Sequence, residues 1–94
     1  MVDVDERDVL EVLKQMLREL KPRGCRVSVK MLDVHRRLGL PKGPWYYHAV
    51  RKALLRIGAK EWPLAKGRCR VYLLEGEVLE RLLEELEEEG AYPR

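Results

Sequence analysis

Glycine and proline cut this chain of 94 residues into short pieces, and each piece carries an apolar pattern too brief for more than one small element. In the first piece Val9, Leu13, Met16 and Leu20 recur at the helical period beside Leu10, Val12 and Leu17. Asp3 or Asp5 can cap that helix, and the early acids suit the positive end of its dipole. Pro22 and Gly24 end it. Cys25-Arg26-Val27 reads as a short extended stretch. Ser28 is then expected to cap a second helix with Met31, Val34, His35 and Leu38 inward and Gly39 closing it.

Leu40-Pro41-Lys42-Gly43 predicts a tight turn, and Pro44 suits the first residue of a third helix that stops at Gly58. Its inward stripe is Tyr47, Val50, Leu54 and Ile57; its outward stripe is Trp45, His48, Arg51, Lys52 and Arg56. Two extended segments follow, about 59–63 and 68–74, joined through Leu64, Ala65, Lys66 and Gly67. In the second, Cys69, Val71 and Leu73 are expected inward, alternating with Arg68, Arg70 and Tyr72. A last helix, about 75–89, places Val78, Leu79, Leu82, Leu83 and Leu86 inside and ends at Gly90. The fold class expected is α+β, in one domain spanning 1–94.

A chain this short buries only about 60–65% of its unfolded surface, which leaves little room for a deep enclosed active site. Hydrophobic residues at 46% supply a core and exclude a disordered chain. The longest apolar run, Val71-Tyr72-Leu73-Leu74, is far below a membrane span. Asp3, Asp5, Glu6 and Asp8 stand where a leader would be apolar, so a soluble, cytoplasmic protein is expected. Asn, Thr and Phe are absent, Ser28 and Gln15 are single, and Arg, Lys and Glu abound. That profile fits a hyperthermophilic source or a GC-rich genome.

The net charge of +3 hides a strong segregation. Residues 1–20 carry −3 and residues 73–94 carry −6, whereas residues 21–72 hold fourteen Lys or Arg against Asp33 and Glu61, a net +12. Self-repulsion in such a block is relieved by a polyanion. The expectation is one contiguous cationic patch, with the acidic ends turned elsewhere.

The second helix ending Arg36-Arg37-Leu38-Gly39-Leu40, the third ending Leu54-Leu55-Arg56-Ile57-Gly58-Ala59, and the hairpin after it resemble a winged helix-turn-helix domain. The likeness covers about residues 5–74, with the acidic helix of about 75–90 as an appendage. Pro41-Lys42-Gly43-Pro44 makes the span from Gly39 to Gly58 about a residue or two longer than is usual in such domains. The resemblance implies that the third helix enters the major groove of double-stranded DNA. Lys42, Trp45, Tyr46, His48, Arg51, Lys52 and Arg56 would then lie at the interface, Arg51 or Lys52 on guanine edges and Arg56 and Lys42 on phosphates. Lys66, Arg68 and Arg70 would form the wing contacts, and Arg36 and Arg37 would touch the backbone. It also implies a transcriptional regulator or chromatin-associated factor, dimeric through its added helix.

The remaining chemistry leaves alternatives. Of Trp45-Tyr46-Tyr47, Tyr47 is expected in the core; Trp45 either packs on the second helix or a partner, or stands free to stack on bases. Cys25, His35, His48 and Cys69 lack the close ligand pairs of a zinc site, and His35 reads as a hydrogen-bonded core residue. In the inferred fold Cys25 and Cys69 fall on paired strands, as a disulfide or as two buried thiols. No poised nucleophile, carboxylate pair or phosphate loop is present, so neither an enzyme nor a cofactor is expected. The terminal leucine stripe closes over the first helix or meets a second copy. Alternatives to duplex binding are an RNA-binding or ribosome-associated module and a protein-interaction adaptor.

Overall fold

The first apolar stripe forms helix α1 (Glu6–Leu20). The structure, a computed structural model, describes residues 4–20, 26–62 and 70–90. Asp5 starts α1: its Oδ1 accepts the Arg7 N–H at 2.9 Å, and its carbonyl accepts from Asp8 and Val9 at 3.1 and 3.3 Å. Val9, Val12, Leu13, Met16 and Leu17 are buried, whereas Leu20, expected inward, stands exposed at the last residue. Around this stripe pack α2 (Met31–Leu38), α3 (Pro44–Ile57) and α4 (Gly76–Glu88). No helix among the described residues is long and apolar enough to cross a membrane.

The fold is α+β: among the described residues, four helices and one antiparallel sheet of β1 (Arg26–Lys30), β2 (Lys60–Glu61) and β3 (Val71–Glu75), in the order β1-β3-β2. On the inner face Val27 lies opposite Leu74 and Val29 opposite Tyr72, so large apolar groups meet across the ladder. Main-chain bonds prolong both edges of β3, from the Met31 N–H to the Arg70 carbonyl at 2.9 Å and from the Trp62 N–H to the Val71 carbonyl at 2.8 Å.

Two expectations are corrected here. Ser28 caps no helix; it sits exposed in the middle of β1, opposite Leu73, and α2 begins at Met31 after Lys30. The period-two pattern of Val27 and Val29, paired with β3, overrides the local capping signal. The facing of β3 is also inverted. Tyr72 and Leu74 are fully buried, and Val71 and Leu73 are only half-buried. A one-residue shift exchanges the two faces of a strand, and the pairing with Val27 and Val29 selects the bulkier set. Cys25 and Cys69 lie outside the described residues.

In α3, Val50 and Leu54 are buried as expected, joined by Ala49 and Ala53, with Tyr47 and Ile57 half-buried against the core. Gly58 ends the helix at φ 112°. A Cβ there would come within 2.6 Å of Val78 Cγ2 on α4, so both the backbone and the close approach demand glycine.

The terminal helix buries Leu79, Leu82 and Leu86 in this chain's own core. Charge then fastens it to α1. The Lys14 ammonium is 3.0 Å from Glu89 Oε1, 3.3 Å from Glu85 Oε2 and 3.3 Å from Glu11 Oε1, while Arg18 Nη2 lies 2.8 Å from Glu89 Oε2. Glu89 foremost, then Glu11 and Glu85, raise the Lys14 pKa against the opposing effect of burial. Lys14 in turn holds the Glu89 carboxyl below the usual carboxylate range. The Glu89 contribution is therefore present above the unfolded carboxylate value and lost as pH falls through the lowered one. Lys14→Met is expected to lower unfolding free energy by about 1–2 kcal/mol and the thermal midpoint by about 5–10 °C at neutral pH. Thermal melts across pH should show that gap narrowing as pH falls through the lowered Glu89 value.

Candidate nucleic-acid interface

From Val34 to Lys60 the chain contains no acidic residue, and α3 lies wholly within that span. The helix is aimed by the turn before it. His35 is buried on α2 and donates from Nε2 to the Pro41 carbonyl at 3.0 Å, and its ring centroid lies 4.4 Å from that of Tyr47 on α3. One core histidine thus ties α2, the proline turn and the first turn of α3. Pro44 opens α3 as its first residue.

The outer face of α3 presents Trp45, His48, Lys52 and Leu55, separated by three, four and three residues and all exposed. Trp45 is 72% exposed, which removes the alternative that it packs on the second helix; Tyr47 packs half-buried against the core and Tyr46 is half-buried. Lys42 is exposed in the preceding turn. Neither Lys42 nor Lys52 has a carboxylate within ion-pair distance among the described residues.

Beside this face runs a groove of about 680 Å³. Met31, Leu32, Pro44 and Tyr47 form its apolar lining, and His48, Arg51 and Arg70 add its polar groups. Three of the expected interface residues therefore meet in one place, although Arg70 lies nineteen residues from Arg51. Glu61 on β2 joins the two guanidiniums: its Oε2 is 3.2 Å from Arg51 Nη2, and its Oε1 accepts from Arg70 Nη1. Arg70 first, then Arg51, holds the Glu61 carboxyl below the usual carboxylate range. The neighbouring Tyr72 is fully buried, and its hydroxyl faces the Arg51 guanidinium without a well-formed hydrogen bond. Burial, aided by the charge of Glu61, pushes the pKa of that phenol up.

Other expected residues lie apart from the groove. Arg56 Nε is 3.3 Å from Glu6 Oε1 of α1, and Arg36 pairs with Asp33 on its own helix. Arg37 pairs with Glu19 of α1 and borders a separate groove of about 390 Å³ with Ser28, Lys30 and Asp33. On the outer side of the sheet, Glu75 holds Lys60 at 3.0 Å and Arg26 at 3.6 Å. The expectation of acidic ends turned away from the cationic block is thus corrected: Glu6, Glu19 and Glu75 reach into it. Long-range pairing of a charge-dense chain selects those contacts, each of them weak at an exposed surface. Lys66 and Arg68 lie outside the described residues.

Glu61 was the residue least visible as part of a site. Its signal was its isolation, a single carboxylate near the foot of the hairpin in a block otherwise basic after Asp33. Among the described residues no group of three or more His, Cys, Asp or Glu side chains is placed to hold a metal. No family model matches the chain, and no curated protein or solved structure matches it.

The poorly paired hydroxyl gives the site a stability signature. A buried hydroxyl without a well-formed hydrogen bond costs free energy, which the Arg51 neighbour offsets in part, so Tyr72→Phe is expected to raise unfolding free energy by no more than about 1 kcal/mol. Urea denaturation of the two proteins checks this, with an unchanged m-value expected.

Proposed function

We propose that this chain is a winged helix-turn-helix domain that binds double-stranded DNA through α3. The observation that carries the reading is the outer face of α3: it is free of acidic residues and displays Trp45, His48 and Lys52, with Lys42 exposed in the turn that precedes it. The order of helices and strands and the small antiparallel sheet are compatible with that fold.

In this reading α3 enters the major groove. Lys52, exposed and without a carboxylate neighbour among the described residues, serves the base edges with His48. Lys42, ahead of the helix, holds backbone phosphate. Arg51 moves from the group of base readers to the phosphate contacts, because it sits half-buried at the groove beside Arg70. The surface ion pairs around Arg36, Arg37 and Arg56 are each worth no more than about 1 kcal/mol and do not oppose a polyanion strongly.

One observation favours a second reading. Trp45, at 72% exposed, offers an aromatic face suited to an unpaired base, as in a structured-RNA ligand. Competition between a duplex DNA and a structured RNA of equal length separates the two.

Contact with about five phosphates corresponds to a log–log salt slope of affinity near −4.5. Fluorescence anisotropy with a labelled duplex checks it; a slope near zero contradicts the reading. In the same assay Lys42→Ala should weaken all sequences alike and make the slope shallower by about one, whereas Lys52→Ala should narrow the gap between preferred and random duplexes.

A further inference from the structure

The bridge at the foot of the hairpin has a geometry that a pair of independent surface contacts would not need. One carboxylate gives each of its two oxygens to a different guanidinium, one from α3 and one from the residue that leads into β3. A phosphodiester presents the same features to its surroundings: a single negative charge shared by two unesterified oxygens. Guanidinium groups bind both anions through the same forked, charge-assisted hydrogen bonds. The two arginines also border an open groove with His48, so an incoming anion has access to them. Glu61 is partly exposed, with 28% of its side-chain surface accessible, and can leave for water without an opening of the core.

We propose that Arg51 and Arg70 form a phosphodiester-binding clamp, which Glu61 occupies as a resident stand-in when no nucleic acid is bound. This rests on the nucleic-acid reading above and deepens it, since it names the pair that joins helix to hairpin on one backbone phosphate. Exchange of carboxylate for phosphate is neutral in charge at the clamp. The free protein therefore keeps both guanidiniums oriented without leaving two adjacent positive charges unopposed. The displaced carboxylate faces the bound phosphate as a like charge, so Glu61 weakens binding while it preserves the geometry. Affinity is traded for a prearranged site.

The test uses inorganic phosphate as probe on the full chain, with the Nε–Hε signals of Arg51 and Arg70 followed by NMR. Glu61→Gln keeps the shape and removes the charge. In that variant both signals should move together, at phosphate concentrations about tenfold below those the unsubstituted protein requires. Arg70→Ala, a change at an exposed residue, should abolish the response of Arg51. An unchanged or weaker response in Glu61→Gln, or equal movement of every exposed arginine, overturns the clamp. A labelled duplex forms the second arm and separates the sources of phosphate. A parallel tenfold gain in duplex affinity supports a backbone phosphate as the ligand. A gain for inorganic phosphate with no duplex binding at all keeps an anion clamp, discards its nucleic-acid ligand and sinks the reading it rests on. Duplex binding with the expected salt slope but no effect of Glu61→Gln leaves that reading standing and removes the clamp.

Discussion

Burial of the α1 stripe is the interaction on which the other elements depend. Val9, Leu13, Met16 and Leu17 fill the middle of the core, and α2, α3 and α4 all pack around the helix that carries them. In a chain of this size a single core must do everything, because the buried fraction is small. Once α1 lies at the back, α3 has one side left for solvent, and its short inner residues Ala49 and Ala53 let it sit close. The exposed tryptophan and lysine of α3 are thus a consequence of packing on its other side.

The electrostatics follow the same arrangement. Acids from α1 and β3 take up Arg56, Arg37, Lys60 and Arg26, and Glu85 of α4 with Glu89 just beyond it take up Lys14 and Arg18. On α3, Arg56 is taken up by Glu6, and Lys52 escapes this neutralisation among the described residues, helped by the absence of any acid within the helix's own span. Glu61 engages Arg51 and Arg70, the two arginines that line the groove. The cationic block is therefore interrupted by acids from both ends, and on α3 and its turn Lys42 and Lys52 are left unneutralised among the described residues, in place of the broad division into a basic middle and acidic ends that the linear charge profile suggests.

Much of the fold was legible because it depends on short-range signals. Pro44 at a helix start, Gly39 and Gly58 at helix ends, and the leucine stripe of α4 are local rules that the core did not overrule. Ser28 and Tyr72 were misread for a shared reason. Each belongs to a strand, and the facing of a strand is decided by its partner many residues away. The candidate site divided along similar lines. The outer stripe of α3 follows from helical spacing alone, but the meeting of Arg51, Glu61 and Arg70 requires the hairpin pairing. Nor could spacing decide whether Trp45 was covered, since no helical period records what packs over an outer residue.

The proposed role of α3 is most directly tested by amide chemical-shift mapping on addition of a short duplex at low salt. The account predicts changes concentrated at Lys42, Trp45, His48, Arg51, Lys52 and Arg70, with α1 and α4 left undisturbed around Lys14 and Leu86. Changes centred on α1 and α4, or spectra that stay the same at saturating duplex, would contradict it.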